Sequence, residues 1–177
     1  MLHSPAHIEQ LALNAWPSVQ TYLHRGMVVR WADGYTKRAN SATVLFDSSW
    51  SADKQQWVEQ FYAQRNLTAI FRMLSFAEPY EFDQRLEAAG YQPLDLTNVM
   101  TADLKSIEPV QDARCTVFPL EEWLEIFHRL DQAKLGAEKL RLHHAILERV
   151  PGTLCPMVLT IDQEPARSEE HTSELQS

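Results

Sequence analysis

The stretch that decides the fold is Met27-Val-Val-Arg-Trp-Ala-Asp-Gly-Tyr-Thr-Lys-Arg-Ala-Asn-Ser41. Its first five residues are mostly apolar or β-branched, which predicts a strand. Asp33-Gly34 gives a strong turn signal, because glycine tolerates a positive φ. The run that follows is polar and aromatic. The stretch therefore predicts one strand of a sheet, then a tight turn and an irregular loop.

Further strands are predicted on both sides of this stretch. Residues 22–24 precede it across a break at Arg25-Gly26, which predicts a hairpin of two strands. Residues 42–46 follow it and predict a third strand. The remaining predicted strands are residues 68–74, 99–104, 115–118 and 157–161.

Five helices are predicted between these strands, because apolar residues recur there at helical spacing. Ser51 is suited to cap the second helix, and Gly90 is suited to end the third in the left-handed conformation. The predicted helices are residues 8–16, 51–64, 81–89, 119–132 and 138–149. This order of elements predicts an α+β fold with a mixed, mainly antiparallel sheet and flanking helices.

The charge and the N-terminus exclude some function classes. The 177 residues carry a formal net charge of -8, and their basic residues are not gathered in sequence, so we expect no nucleic-acid partner. The N-terminus lacks a cationic start followed by an apolar run. No stretch approaches the roughly 18 apolar residues of a membrane helix. We therefore expect a cytoplasmic protein without a membrane partner.

The metal-ligating residue types do not form a recognisable site. Cys115 and Cys155 lie far apart and lack a CxxC spacing, so neither a disulfide framework nor a zinc site is indicated. Cys115 opens a predicted strand and is interpreted as a small core residue. His143 and His144 are neighbours on a predicted helix and diverge by about 100°. A surface or interface role is favoured for them, and no metal site is expected.

The polar and aromatic run at residues 31–41 has two interpretations. It is either a turn with solvated edges or one wall of a binding cleft. In a cleft, Trp31 and Tyr35 would provide flat surface, while Arg38 and Asn40 would provide directed hydrogen bonds. Composition alone does not choose between the two. These four residues are the predicted substrate-binding residues, and no catalytic residue is predicted.

The glycines exclude a glycine-rich phosphate loop. The patterns GxGxxG and GxxxxGK both need closely spaced glycines, so that backbone N–H groups can approach a pyrophosphate. No two of the five glycines lie closer than eight positions. They are Gly26, Gly34, Gly90, Gly136 and Gly152. We therefore predict no cofactor-binding residue in this chain.

Several segments together resemble the front half of a group of GNAT-type N-acetyltransferases. They are Trp16-Pro17, the 27–41 stretch, Trp57-Val-Glu-Gln-Phe-Tyr62 and Leu86-Glu-Ala-Ala-Gly-Tyr91. The resemblance covers roughly residues 8–166 and is most specific at Ala-Asp-Gly-Tyr-Thr-Lys-Arg-Ala-Asn-Ser. In that group, a partial GNAT-like region precedes a standard GNAT domain.

The resemblance implies a domain division and an activity. Residues 1–108 would be the partial GNAT-like domain, and residues 109–166 the first part of a GNAT catalytic domain. The hydrophobic period fades at residues 105–114, near that junction. The implied reaction is transfer of acetyl from acetyl-CoA to an amine of a small molecule or a protein, by direct attack on the thioester.

The family's cofactor loop, Arg/Gln-x-x-Gly-x-Gly/Ala, is absent from these residues. We therefore expect a parent protein that uses acetyl-CoA, and a GNAT-like sheet that is incomplete at its C-terminus. This chain, truncated before that loop, is expected to bind the cofactor weakly and to be inactive. The alternative is a small-molecule-binding or regulatory module without catalysis.

The last residues, Arg167-Ser-Glu-Glu-His-Thr-Ser-Glu-Leu-Gln-Ser177, have a separate interpretation. They correspond codon by codon to the translation of a common short-read sequencing adapter, although a disordered terminus would also be polar. We therefore expect residues 167–177 to be a non-native tail. Residues 154–161 should then expose apolar surface and favour self-association through the incomplete sheet.

Overall fold

The computed structural model describes residues 4–45, 49–77, 80–103, 114–130, 135–162 and 164–168. These residues form five α-helices, one short 3₁₀ helix and seven strands in two sheets. They divide into two compact units. The first unit comprises Met1–Arg85 and Asp131–Leu154, and the second comprises Leu86–Leu130 and Cys155–Ser177. The predicted α+β class with mainly antiparallel strands is confirmed.

The first unit contains a four-stranded sheet. Its strands lie in the order β1 (Gln20–His24), β2 (Met27–Trp31), β3 (Ala42–Val44) and β4 (Phe71–Arg72). The β3–β4 pair is parallel and the other pairs are antiparallel. The predicted hairpin is confirmed, with His24 opposite Met27 and with Arg25 and Gly26 both at positive φ.

Three helices lie wholly within the first unit. They are α1 (Pro5–Ala15), α2 (Ala52–Ala63) and α5 (Ala137–Leu147). Ser51 caps α2 as predicted, because its side chain accepts a hydrogen bond from the Lys54 backbone N–H. Helix α2 buries Val58, Phe61 and Tyr62.

An ion pair joins helix α1 to strand β4. The guanidinium of Arg72 on β4 donates to both carboxylate oxygens of Glu9 on α1, with 3.0 Å between Nη2 and Oε2. Glu9 is only 5% exposed. A carboxylate this deeply buried needs such a partner, because burying an unpaired charge is costly. The pair therefore fixes α1 on the sheet.

The second unit contains a three-stranded antiparallel sheet. Its strands lie in the order β5 (Cys115–Val117), β6 (Met157–Ile161) and β7 (Glu164–Ser168). Helix α4 (Leu120–Leu130) buries Trp123, Ile126 and Phe127. The indole of Trp123 donates to the Met157 carbonyl at 3.1 Å. This bond attaches α4 to the middle strand.

Helix α3 (Tyr80–Ala88) begins in the first unit and ends in the second. Gly90 follows it with a φ of 90°, as predicted for a left-handed cap. The strand predicted at residues 99–104 is wrong for residues 99–103, which form no strand. Val99 and Met100 there are largely exposed. Their apolar character predicted a strand, but a strand also needs a neighbouring strand to pair with.

Other predictions need correction or lie outside the described residues. Cys115 is exposed, so the prediction that it is a core residue is wrong. The strand predicted at residues 68–74 is limited to Phe71–Arg72. Residues 105–113 of the predicted linker lie outside the described residues. The domain division at 108 and 109 therefore stays a prediction.

The exposure predicted for residues 154–161 is only partly correct. Strand β6 lies in the middle of its sheet, and Val158 is fully buried, whereas Ile161 at the strand end is 48% exposed. Strand β7 includes Arg167 and Ser168, the first two residues of the predicted tail. The rest of that tail lies outside the described residues. Among the helices that are described, none is long and apolar enough to cross a membrane.

Candidate functional site

The 31–41 loop begins where β2 ends and turns sharply at once. Asp33 and Gly34 both have positive φ, at 51° and 73°, as the Asp-Gly signal predicts. A Cβ atom at Gly34 would lie 2.8 Å from Cδ2 of Leu67. The position therefore suits glycine for its conformation and for its lack of a side chain.

Asn40 holds the loop from within. Its Oδ1 accepts hydrogen bonds from the backbone N–H groups of Ala32 at 2.8 Å and Gly34 at 3.0 Å. Its Nδ2 donates to the Thr36 carbonyl at 2.7 Å. The side chain is 4% exposed. One amide therefore satisfies three backbone groups that the turn removes from water.

The loop is also tied to α1. Nη2 of Arg38 donates to the Ala12 carbonyl at 2.9 Å. The hydroxyl of Thr36 accepts from the Trp16 indole at 3.1 Å and from the Ala39 N–H at 3.3 Å. Helix α1 has no basic residue in its own last turn, so Arg38 supplies a cation near its carbonyl end.

Three rings pack together beside the loop. The ring centroid of His143 lies 5.6 Å from that of Trp16 and 5.7 Å from that of Tyr35. A surface or interface role was favoured for His143, but it is 1% exposed, so the surface alternative is wrong. Ile146, one turn along α5, packs against Ala32 and Ala39 of the loop, both of which are fully buried. Helix α5 thus packs against the loop and against the end of α1.

Trp31 has different surroundings from Tyr35. It is partly buried, and the guanidinium of Arg65 lies 5.9 Å from its ring centroid and 3.8 Å from that of Phe61. Its indole nitrogen is buried and has no hydrogen-bond partner among the described residues. Tyr35, Arg38 and Asn40 therefore share the part of the loop near α1, whereas Trp31 lies near the end of α2.

Arg30 is a residue of this site that the sequence interpretation missed. It is 2% exposed, and its guanidinium donates to the carbonyls of Arg38, at 3.0 Å, and of Trp16. The Tyr62 hydroxyl donates to the Arg30 carbonyl at 2.7 Å, and burial raises the pKa of this phenol. The available signal was a charge within the apolar run Met27-Val-Val-Arg-Trp31. Such a charge needs internal partners when the strand is buried.

Comparison with known proteins supplies the family. A family model described as "Probable histone acetyltransferase Rv0428c C-terminal" matches residues 6–153, which include the whole loop and His143. The chain belongs to this family. It is also 30% identical over 150 residues to the "Uncharacterized N-acetyltransferase YobR" of Bacillus subtilis (strain 168). That match covers 81% of this chain and 59% of the relative, and no solved structure matches the chain.

The family match bears on the sequence-based predictions to different degrees. The resemblance to N-acetyltransferases is confirmed at the level of the family. Truncation of the chain and the adapter origin of residues 167–177 stay predictions. Substrate contact by Trp31, Tyr35, Arg38 and Asn40 also stays a prediction. The geometry adds that the Asn40 amide and one Arg38 nitrogen already bond protein carbonyl or N–H groups.

In the described parts of the chain, no group of three or more His, Cys, Asp or Glu side chains is placed to hold a metal ion. Cys115 and Cys155 are exposed free thiols. His144 lies with Nδ1 at 3.3 Å from a carboxylate oxygen of Glu148, one turn along the same helix. The aromatic and hydrogen-bonding groups around the 31–41 loop therefore form the best-supported candidate site.

Proposed function

We propose that the protein acts in the transfer of an acetyl group from acetyl-CoA to an amine. The observation that carries the proposal is the family match over residues 6–153. The name of the B. subtilis relative as an N-acetyltransferase supports it further. The acceptor would be an amine of a small molecule or of a protein. The exposed free thiols of Cys115 and Cys155 support a reducing, cytoplasmic location for the reaction.

The chemistry needs a neutral amine next to a thioester. The amine nitrogen attacks the acetyl carbonyl carbon, the C–N bond forms, and the C–S bond breaks. The coenzyme leaves as a thiolate and takes up the proton that the amine nitrogen gives away. An aliphatic amine arrives mostly as an ammonium ion, so the formal net charge of -8 favours its approach. A base must remove one proton from this ammonium ion before its nitrogen can attack.

The 31–41 loop is proposed as a wall of the acceptor cleft. Trp31 and Tyr35 are partly buried and offer flat surface, and Arg38 is partly exposed and carries a guanidinium group. Asn40 acts from inside, because its amide bonds the loop backbone and is 4% exposed. Removing Asn40 would therefore disturb the shape of the wall.

The cofactor is proposed to need residues that this chain does not supply. A pyrophosphate is held by backbone N–H groups at a helix N-terminus. Glycines in the loop allow this backbone to approach the pyrophosphate closely. The glycines here are never closer than eight positions. We therefore propose that these 177 residues alone bind acetyl-CoA weakly and do not turn over.

The proposal is tested by measuring release of free coenzyme A thiol with a panel of amines that includes free lysine, spermidine and a lysine-rich peptide. The assay uses this chain, any longer reading frame found at its genomic locus, and the B. subtilis relative for comparison. We expect turnover by the longer protein and none by the chain. If the longer protein neither binds acetyl-CoA nor acetylates any of these amines, the proposal is wrong.

The same experiment separates the second candidate, a ligand-binding module without catalysis. The observation that favours it is the aromatic surface around the loop, together with the wide spacing of the glycines. In the longer protein, a module of this kind would bind an amine but would not bind acetyl-CoA. Calorimetry measures the binding of each ligand. Binding of both ligands with thiol release would exclude it.

A further inference from the structure

We propose that Arg30 is a positioning residue that fixes the 31–41 loop against the end of α1, and so sets where the acceptor-facing side chains lie. The inference rests on the proposed function of the loop. Arg30 is 2% exposed, so it does not touch a substrate itself. It acts through the two segments that it joins.

The side chain of Arg30 bridges two carbonyl groups that are far apart in sequence. Nη1 donates to the carbonyl of Arg38 at 3.0 Å, and Nη2 donates to the carbonyl of Trp16. The first lies in the loop and the second lies at the end of α1. A guanidinium suits this role, because its planar fork presents several N–H donors in fixed directions. A lysine ammonium lacks this fork geometry.

The backbone of Arg30 is held in place by the sheet and by α2. Its N–H donates to the Ser41 carbonyl at 3.1 Å, and its carbonyl accepts from the Tyr62 hydroxyl at 2.7 Å. Tyr62 is fully buried. Because the backbone of Arg30 is fixed, the position of the Arg30 guanidinium determines the distance between the loop and α1.

The Trp16 carbonyl lies where a helix leaves its last carbonyl groups without helical partners. These groups form the negative end of the helix dipole. Arg38 donates to a second carbonyl of the same helix, that of Ala12, at 2.9 Å. Since Arg30 holds the backbone of Arg38, it also aims the Arg38 guanidinium at α1. One buried arginine thereby orients one of the predicted substrate-binding residues.

The test compares Arg30→Lys with Arg72→Lys in the full chain. Arg30 bonds the loop through Nη1 and the end of α1 through Nη2, whereas Arg72 pairs with Glu9 of α1 through both of these nitrogens. Amide hydrogen exchange is followed at Gly34 and Ala39. We expect exchange about tenfold faster in Arg30→Lys, because hydrogen bonds from a charged group are lost, and unchanged exchange in Arg72→Lys. Equal rates in both variants would overturn the proposal.

A second variant and a second readout guard against a general loss of stability. Arg30→Met removes both bonds and should speed loop exchange further while exchange in the α2 interior stays slow. If it fails to fold, the Arg30→Lys result decides. In an active longer protein, Arg30→Lys should raise the amine KM about tenfold and leave the acetyl-CoA KM unchanged. Equal rises in both KM values would contradict positioning.

The exchange experiment does not need catalysis. If no acetyl transfer is found but loop exchange responds to Arg30→Lys, the proposed function fails and the role of Arg30 in positioning the loop remains. If acetyl transfer is found but neither the loop exchange nor the amine KM responds, the proposed function remains and the positioning role fails.

Discussion

Two irregular segments of similar length differ in a way that their compositions do not suggest. The 31–41 loop is rich in polar residues, yet Ala32, Ala39 and Asn40 within it are buried. The 91–103 segment carries several large apolar residues, yet Leu96 is 99% and Met100 88% exposed. Irregular chain is therefore buried where its backbone polar groups find partners, because an unpaired buried N–H or C=O group is costly.

The hydrogen bonds of the loop explain why it is buried. In the loop, Asn40 bonds three backbone groups, and Thr36 and Arg38 reach α1. In the 91–103 segment, the Thr97 hydroxyl donates to the Asp95 carbonyl only two residues away. Short-range bonds of this kind do not attach a segment to the rest of a fold. The following substitutions test this account.

The largest effect is expected for Asn40→Leu. Leucine has a similar size but leaves two N–H groups and one carbonyl of the loop without partners. We expect the free energy of unfolding to fall by about 3 kcal/mol, since each unsatisfied buried group costs about 1–3 kcal/mol. Urea unfolding followed by tryptophan fluorescence measures the loss.

The matched control for this variant is Leu96→Asn, the reverse exchange in the 91–103 segment. Leu96 is 99% exposed, so its replacement should change the unfolding free energy by less than about 0.5 kcal/mol. Equal losses in the two variants would show that the segments do not differ in the way proposed.

A smaller effect is expected for Gly34→Ala than for Asn40→Leu. Gly34 and Gly90 both have positive φ, so alanine should cost about 1–2 kcal/mol at either position. Only at Gly34 does the added Cβ also approach another side chain, Leu67, at 2.8 Å. Thermal unfolding of Gly34→Ala and Gly90→Ala should therefore rank the loop variant as the less stable. The opposite rank would contradict close packing at the turn.

Tyr62→Phe tests the support that the loop receives through Arg30. Loss of the hydrogen bond to the Arg30 carbonyl should cost about 1 kcal/mol near pH 7. Burial raises the pKa of Tyr62 above its ordinary value near 10, so the unfolded chain ionises first as pH rises. Stability from this group is present below pH 10 and is lost above it.

The pH dependence gives this variant a second, independent readout. Urea unfolding at pH 9, 10 and 11 should show a steeper loss above pH 10 in the wild type than in Tyr62→Phe. Tyr22→Phe is the control, because Tyr22 is 37% exposed and lies on the outer strand β1. If the stability of Tyr62→Phe falls above pH 10 as steeply as that of the wild type, the loss does not come from Tyr62.

The smallest effect on stability is expected for the double variant Leu96→Ser and Met100→Ser. Both side chains are almost fully exposed, so the unfolding free energy should stay within about 0.5 kcal/mol. Self-association should decrease, because exposed apolar surface favours contact between copies. Light scattering across a concentration series measures it. A clear loss of stability would mean that this segment packs more tightly than its exposure indicates.

The sequence predicted the elements whose signals are local. The hairpin turn at Arg25-Gly26, the Asp33-Gly34 turn and the Ser51 cap each depend on residues within a few positions of one another. The strand predicted at residues 99–104 failed because apolar residues look the same in an exposed segment as in a strand. Only a neighbouring strand distinguishes the two cases, and sequence periodicity does not report one.

The sequence identified residues 31–41 as a candidate site but did not predict which side chains hold this loop in place. Residues 31–41 were selected because they are polar and aromatic between apolar strands. The side chains that hold them come from Trp16 and from His143, the latter more than 100 positions away. Arg30 was visible in the sequence only as a charged residue within a predicted strand, and its partners were not predicted. Long-range partners of this kind are visible only once the chain has folded.

The buried ion pair between Glu9 and Arg72 has a consequence for synthesis on the ribosome. The two residues are 63 positions apart, so Glu9 leaves the exit tunnel well before Arg72 does. At about 5–20 residues per second, the delay is roughly 3–13 s. During that time Glu9 stays hydrated, because its partner is not available. A contact that closes so large a loop should form late in folding.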